Sequence, residues 1–321
     1  MKLAIPHITV CICTYQRPGL LGKLLRELTA QETRDRFTYS VVVSDNDRQE
    51  SAREAVQSFQ KESALEVKYC VEPEQNIALA RNRALANARG EFVAFIDDDE
   101  FPVKDWLLQL LLACEEHKSA GVLGPVYPRF EREPPRWFVK GRFYFRPEYP
   151  TGRVLDWRET RTGNVLLRRQ VLEGIAEPFR RQFGSGSEDT DFFRRLSAQG
   201  NVFTWCREAA VHEVVPAERC SRDYLLRRAI LRGQSKRHTA DFRSVAKSCL
   251  AALLYFLALP FLLVMGQHVF MRHLVSLCDH VGKLAGVLGF TPMGDTYITT
   301  STARAGLPIP IESSKASCLP R

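Results

Sequence analysis

Four acidic side chains in a row, Asp97-Asp98-Asp99-Glu100, follow directly on the apolar run FVAFI at 92–96. A strand ending there sets several carboxylates at one sheet edge, where a cation relieves their mutual repulsion. Hard oxygen ligands in that setting suit Mg2+ or Mn2+, with a substrate diphosphate completing the shell. A solvated acidic turn capping the next helix has the same local pattern. A second set, Glu188-Asp189-Thr190-Asp191, comes after the glycine-containing stretch Phe183-Gly184-Ser185-Gly186-Ser187. Acidic residues favour the first turn of a helix for dipole reasons, and a flexible loop that offers a carboxylate opposite a metal site also delivers a general base. Asp45 and Asn46 end a further apolar run, YSVVVSD at 39–45, and make a third polar point. Helix capping accounts for Asn46 better than for Asp45.

The elements that must hold these residues alternate along the chain. ITVCICT (8–14) reads as a strand, and Gly19 to Gln31 as a helix with Leu20, Leu21, Leu24, Leu25 and Leu28 on its apolar face. Strands at 39–45, 65–71 and 92–96 are separated by an amphipathic stretch from Gln49 and an Ala-rich helix from Asn76 to Arg89, with Asn76 as N-cap and Gly90 at C′. A helix from Trp106 to Cys114, strands at 162–169 and 201–206, a helix from Glu188 to Gln199 and a basic helix from Tyr224 to Ser235 complete the series. Such alternation predicts an α/β protein with an open, mostly parallel sheet flanked by helices, binding its ligand outside the strands' carboxyl ends. Residues 127–150 are rich in Pro, Arg and aromatics without a period and predict a long ordered loop closing over a site. Its Trp137, Phe138, Phe143 and Tyr144 form either an acceptor platform or a hydrophobic cover.

The chain has 321 residues, 45% of them hydrophobic and 26% charged, which excludes disorder, collagen and coiled coil as descriptions of the whole. Lys and Arg exceed Asp and Glu by 45 to 37, and the excess lies in Arg222, Arg227, Arg228, Arg232, Lys236, Arg237, Arg243 and Lys247. This cluster adjoins an apolar run, Ser248 to Met271, that holds no Asp, Glu, Lys or Arg. Nucleic-acid binding would want the basic residues interleaved with stacking aromatics, so the combination predicts a membrane partner and a catalytic domain on the cytoplasmic face of the plasma membrane. A kinked or re-entrant helix competes with a full span because Pro260 sits mid-run, and a buried core helix is the bland alternative. Nine scattered cysteines without a Cys-x-x-Cys pair, and an N-terminus without a secretory h-region, fit reduced thiols in the cytosol. The polar tail beyond Pro292 reads as loosely ordered.

Taken in order, Thr14-Tyr15-Gln16-Arg17-Pro18, Asp45-Asn46, Asn76-Ile77-Ala78-Leu79-Ala80-Arg81-Asn82, Asp97-Asp98-Asp99 and Glu188-Asp189 resemble the motifs of the family 2 glycosyltransferases, which have the GT-A fold. The resemblance covers roughly residues 7–235. It implies that Thr14, Arg17, Asp45 and Asn46 bind the nucleotide part of a donor, Arg81 the base or diphosphate, and Asp97 and Asp98 the ribose and phosphate region. It also implies that Asp99, with Asp97, holds Mn2+ or Mg2+, and that Asp189 is the catalytic base. His212, in Ala210-Val211-His212-Glu213-Val214, could approach the metal or diphosphate. Ala78 stands where the family often has Gly, and the Gln-x-x-Arg-Trp motif of processive synthases is missing; Arg219 to Tyr224 does not supply it. The implied activity is inverting transfer of one hexosyl unit from a nucleotide-sugar donor, first a UDP-sugar, to a lipid-linked or polysaccharide-precursor acceptor. Residues 1–126 would form the donor-binding half, 127–236 the acceptor and base half, and 237–321 a membrane-associated helical segment and tail. A nucleotidyltransferase on a similar fold and a non-catalytic membrane scaffold are the rival classes. The first normally needs a Gly-rich phosphate loop where Thr14 to Pro18 stands.

Overall fold

A computed structural model of the protein describes residues 5–294. Strand β1 (His7–Thr14) leads into α1 (Pro18–Leu28), which opens on Pro18 and buries Leu21, Leu24, Leu25 and Leu28. Then come β2 (Thr38–Asp45), α2 (Arg53–Glu62), β3 (Val67–Val71), α3 (Ile77–Asn87) and β4 (Phe92–Phe95). The N-cap of α3 is Asn76, whose side chain accepts from Leu79 N. Short β5 (Glu100–Pro102) and α4 (Trp106–Glu116) precede β6 (Gly121–Leu123), β7 (Val126–Phe130) and α5 (Arg136–Lys140). The second half carries β8 (Val165–Arg168), α6 (Glu188–Ala198), β9 (Phe203–Trp205), β10 (Val211–Val215), α7 (Arg222–Ser235), α8 (Phe242–Val264) and α9 (Gln267–Val287).

The main sheet has seven strands in the order β3-β2-β1-β4-β8-β6-β9. Parallel pairing joins β3, β2, β1 and β4, and only β8 runs against its neighbours β4 and β6. Apolar clusters lie on both faces, one around Leu24, Leu28, Val41 and Trp106, the other around Ala84, Phe95, Phe179 and Phe192. Burial on both sides is why these strands read as continuous apolar runs and not as alternating ones. A smaller sheet, β5-β10-β7, stands at the carboxyl end of β4. It pairs Glu213 of β10 across from Glu100 of β5.

The expected mostly parallel α/β sheet is present, but residues 127–150 are more regular than their lack of period predicts. Strand β7 takes its partner from β10, more than eighty residues away in sequence, a contact no local pattern reports. Phe138 is buried against Phe130, Phe143 and Tyr144. The apolar run Ser248 to Met271 is also not one element: α8 passes through Pro260 and ends before Gly266, whose φ of +108° turns the chain into α9. The tail beyond Pro292 lies almost wholly outside the described residues.

Candidate active site

The carboxyl ends of β1, β2 and β4 converge on a cleft of about 510 Å3. Thr14, Arg17, Asn46, Arg81, Asp97, Asp98, Asp99 and Asp189 all line it, so sequence positions separated by up to 175 residues meet at one sheet edge. The hydroxyl of Thr14 donates to Asp98 Oδ2 at 2.7 Å, and Arg17 Nη1 donates to Asp98 Oδ1 at 2.8 Å and Asp99 Oδ2 at 3.0 Å. From the loop after β10, Arg219 Nη2 reaches the same Asp99 oxygen at 2.9 Å while its Nη1 bonds Glu213 Oε1 at 3.0 Å. Arg146, from the loop after α5, closes the row on Glu213 Oε2 at 2.6 Å.

These partners set the charge of each carboxyl. Burial works against the charge on Asp99, but Arg219 and Arg17 outweigh it and hold the group below the ordinary carboxylate range. Burial pushes Asp98 up to about 6 against the pull of Arg17. Asp97 keeps 48% of its side-chain surface at the cleft, and partial desolvation and the charge of Asp99 raise it despite Arg81. Glu100 is held well above the ordinary carboxylate range by burial and by the charges of Asp97 and Glu213.

The loop before α6 brings in the second acidic set. Gly186 at φ +136° and Ser187 at φ +72° make a turn that few side chains tolerate. Ser187 Oγ lies 2.9 Å from Ser235 Oγ of α7 and fastens that turn. Gly184 O accepts from Ile77 N at 3.1 Å, tying the loop to the start of α3. Glu188 is buried and pairs with Arg81, whose other nitrogen lies 3.6 Å from Asp97 Oδ1. Asp189 is half-buried at the cleft, and its carboxylate accepts from its neighbour Thr190 N at 2.6 Å. One arginine thus holds the two acidic loops at a fixed separation, with Glu188 engaged and Asp189 turned to the open space.

Residues 9–175 match the model of the family described as Glycosyl transferase family 2. The succinoglycan biosynthesis protein ExoM of Rhizobium meliloti (strain 1021) is 38% identical over 231 residues, 71% of this chain and 74% of that one. The chain belongs to glycosyl transferase family 2. Among solved structures, the mannosyltransferase PcManGT from Pyrobaculum calidifontis, in complex with GDP-Man and Mn2+, aligns with a TM-score of 0.60 at 18% identity over 87% of each chain. S. aureus TarS 1–349 in complex with UDP-GlcNAc aligns at 0.51 and 15% identity over 89% of this chain and 93% of that one. The fold is GT-A, and the protein is a glycosyltransferase.

Within this family frame two expected contacts fall elsewhere. Asp45 is fully buried and does not line the cleft: its Oδ2 accepts from Ala52 N and Tyr69 Oη at 2.8 Å, and its Oδ1 from Asp47 N at 3.1 Å. These bonds shape the turn before α2, which therefore starts later than the pattern from Gln49 predicts. His212 alternates with Glu213 along β10, so as Glu213 points into the cleft His212 points out, exposed and with its ring 5.9 Å from Tyr127. Trp137, Phe138, Phe143 and Tyr144 line no part of the cleft; they pack with Val275 of α9 and form the cover.

Arg146, Glu213, Arg219 and Arg228 are among the lining residues that no motif marks. Arg146, Glu213 and Arg219 stand outside any periodic run, and Glu213 comes in through the pairing of β10 with β5 and β7, whereas Arg228 is carried to the cleft by α7. For a divalent cation the donor set is spare: among the described residues no three His, Cys, Asp or Glu side chains converge to hold one. Asp97 and Asp99 share the cleft, and Mg2+ habitually takes one or two carboxylates plus phosphate and water. The residues therefore fit an ion bound together with a diphosphate.

Proposed function

We propose that this glycosyltransferase moves one hexosyl unit, with inversion, from a nucleotide-diphosphate sugar to a lipid-linked or polysaccharide-precursor acceptor. The observation that carries this reading is the shared cleft, in which Arg81 spans from the Asp97 row to Glu188 and leaves Asp189 facing the open space. Asp189 takes the proton of the acceptor hydroxyl as its oxygen attacks the anomeric carbon. The new carbon–oxygen bond forms on one face while the bond to the diphosphate breaks on the other, and the nucleoside diphosphate leaves. Thr14, Arg17 and Asn46 bind the donor's nucleotide part. Negative charge that develops on the departing diphosphate meets Arg228, which lines the cleft and has no ion-pair partner among the described residues. Mn2+ or Mg2+, held by Asp99 and Asp97, would neutralise further diphosphate charge.

A UDP-sugar is the first donor to test; the sugar complexes of the two structural neighbours, one with GDP and one with UDP, support the donor class. The succinoglycan role in the name of ExoM supports a polysaccharide precursor. Residues 1–126 form the donor half, 127–236 the acceptor and base half, and 237–321 the membrane-associated part on the cytoplasmic face of the plasma membrane. Purified protein with Mn2+, incubated with a panel of nucleotide sugars, should slowly release free nucleotide diphosphate from one of them, and the release should stop on chelation. Asp99→Asn should weaken Mn2+ binding and nearly abolish release while the protein still folds. Pyrophosphate formed from a nucleoside triphosphate and a sugar phosphate, with no hydrolysis of any nucleotide sugar, would identify a nucleotidyltransferase instead.

A further inference from the structure

Helix α8 has 23 residues, a mean hydropathy of 2.0 over its most apolar stretch, and only 6% of that stretch buried. At about 1.5 Å per residue it is long enough for the roughly 30 Å hydrocarbon layer, so length does not decide whether it crosses. Its packing does. Lys283 of α9 bonds the Ser244 carbonyl and hydroxyl of α8 at 3.0 and 2.7 Å, whereas Tyr255 of α8 lies 5.7 Å from the earlier His273, so α8 and α9 run antiparallel. On its other side α9 runs along α7 in the same direction: Val275 packs near Leu225, Gly282 sits against the Ile230 carbonyl and Gly286 against Gln234. Asp279 of α9 also pairs with Arg232 at 3.1 Å and Lys236 at 2.5 Å.

A membrane-crossing α8 would carry the antiparallel α9 into the hydrocarbon, and α9 would carry α7. Yet α7 bears Arg227, Arg228 and Arg232 and forms a wall of the polar cleft through Tyr224, Arg228, Leu231 and Ser235. Such a helix has no place in hydrocarbon. The exposed side of α8 is one continuous stripe in which the basic Arg243 and Lys247 precede Leu250, Leu254, Leu257, Phe261 and Val264, and all of these are exposed. Arg243 and Lys247, in its first turns, have stems long enough to carry their charges up to anionic headgroups while the rest of the stripe meets acyl chains.

We propose that α8 lies flat in the surface of an anionic bilayer, with α9 as the brace joining it to the cleft wall α7. This rests on the membrane-side reading above and adds its geometry. The consequence is that the cleft sits at a fixed height over one leaflet, and no part of the described chain reaches the other.

The test uses the full chain with vesicles of phosphatidylglycerol and phosphatidylcholine, and a fluorescent amino acid placed singly at 250, 257 and 264. These positions are seven residues apart, so they share one face. Quenching by brominated lipids should give the three the same depth. Depths stepping by about 10 Å between positions, as a crossing helix requires, would overturn the proposal. Binding to phosphatidylcholine alone should be weaker by on the order of tenfold or more, and Leu250→Glu/Leu257→Glu should leave the protein in the aqueous fraction while its donor hydrolysis continues. Wild-type protein that fails to float with either vesicle and sediments as a dimer would assign this face to a second copy and sink the proposal. Donor hydrolysis is followed in the same samples. Its absence with flotation intact would strike the glycosyl-transfer reading and leave the bilayer docking standing.

Discussion

Asp99 Oδ2 is shared by two guanidiniums, Arg17 at 3.0 Å and Arg219 at 2.9 Å, and Arg219 is also the bond that holds Glu213 beside it. Removing Arg219 would leave Asp99 with Arg17 alone and Glu213 with Arg146 alone, and would take away the one cation that bridges the two nearly buried carboxylates. Arg219→Met should therefore lower the midpoint in denaturant, by less than the roughly 3–5 kcal/mol of a fully unpaired buried charge because each carboxylate keeps one partner, and transfer should fall with it. Arg219→Lys, a single point charge that cannot bridge both carboxylates, should fall between. Wild-type stability in Arg219→Met would show that the bridge carries no weight. Gly163 gives a subtler probe: a Cβ there would stand 2.8 Å from Glu100 Oε1 and 3.3 Å from Asp97 Oδ2. Gly163→Ala should push these carboxylates and lower turnover by roughly tenfold, the scale on which small displacements at a site act, with little change in melting temperature. Unchanged turnover would mean that the position of Asp97 is not critical.

At the level of elements, α7 serves two neighbours at once, the cleft on one side and α9 on the other. Their contact depends on side chains that are missing: a Cβ at Gly282 would overlap the Ile230 carbonyl, and one at Gly233 would overlap the Asp279 carbonyl. Gly282→Leu should separate the helices, lower the melting temperature and weaken donor binding through the shifted α7, which calorimetry would record. A melting curve and donor affinity unchanged from wild type would contradict the coupling. The strands and helices of the first half were legible because each carries its own signal, a β-branched run or leucines at helical spacing ended by a cap. By contrast, β5, β6 and β7 are three to five residues long, and their existence depends on partners far along the chain. No window of sequence contains that information.

For the whole molecule, the acidic row, Asn76 with its helix, and the Glu188-Asp189 pair were readable because each follows a recognisable element end, and the fold brings them to one edge as strand carboxyl ends in such sheets do. Asp45 is less legible because a carboxylate at a strand end can equally serve the turn that follows, and here it accepts from Ala52 and Tyr69. Arg219 matches no motif, although it joins the acids of the two sheets. If the donor half binds and the base half reacts, the two functions separate in a single substitution. Asp189→Asn preserves size and most hydrogen bonding but cannot accept a proton. Donor affinity and turnover, measured side by side on this variant, give the most direct test. The expected result is an affinity within about twofold of wild type and turnover lower by on the order of 10² or more; turnover preserved at saturation, with donor binding lost, would contradict the assignment of Asp189 as the base.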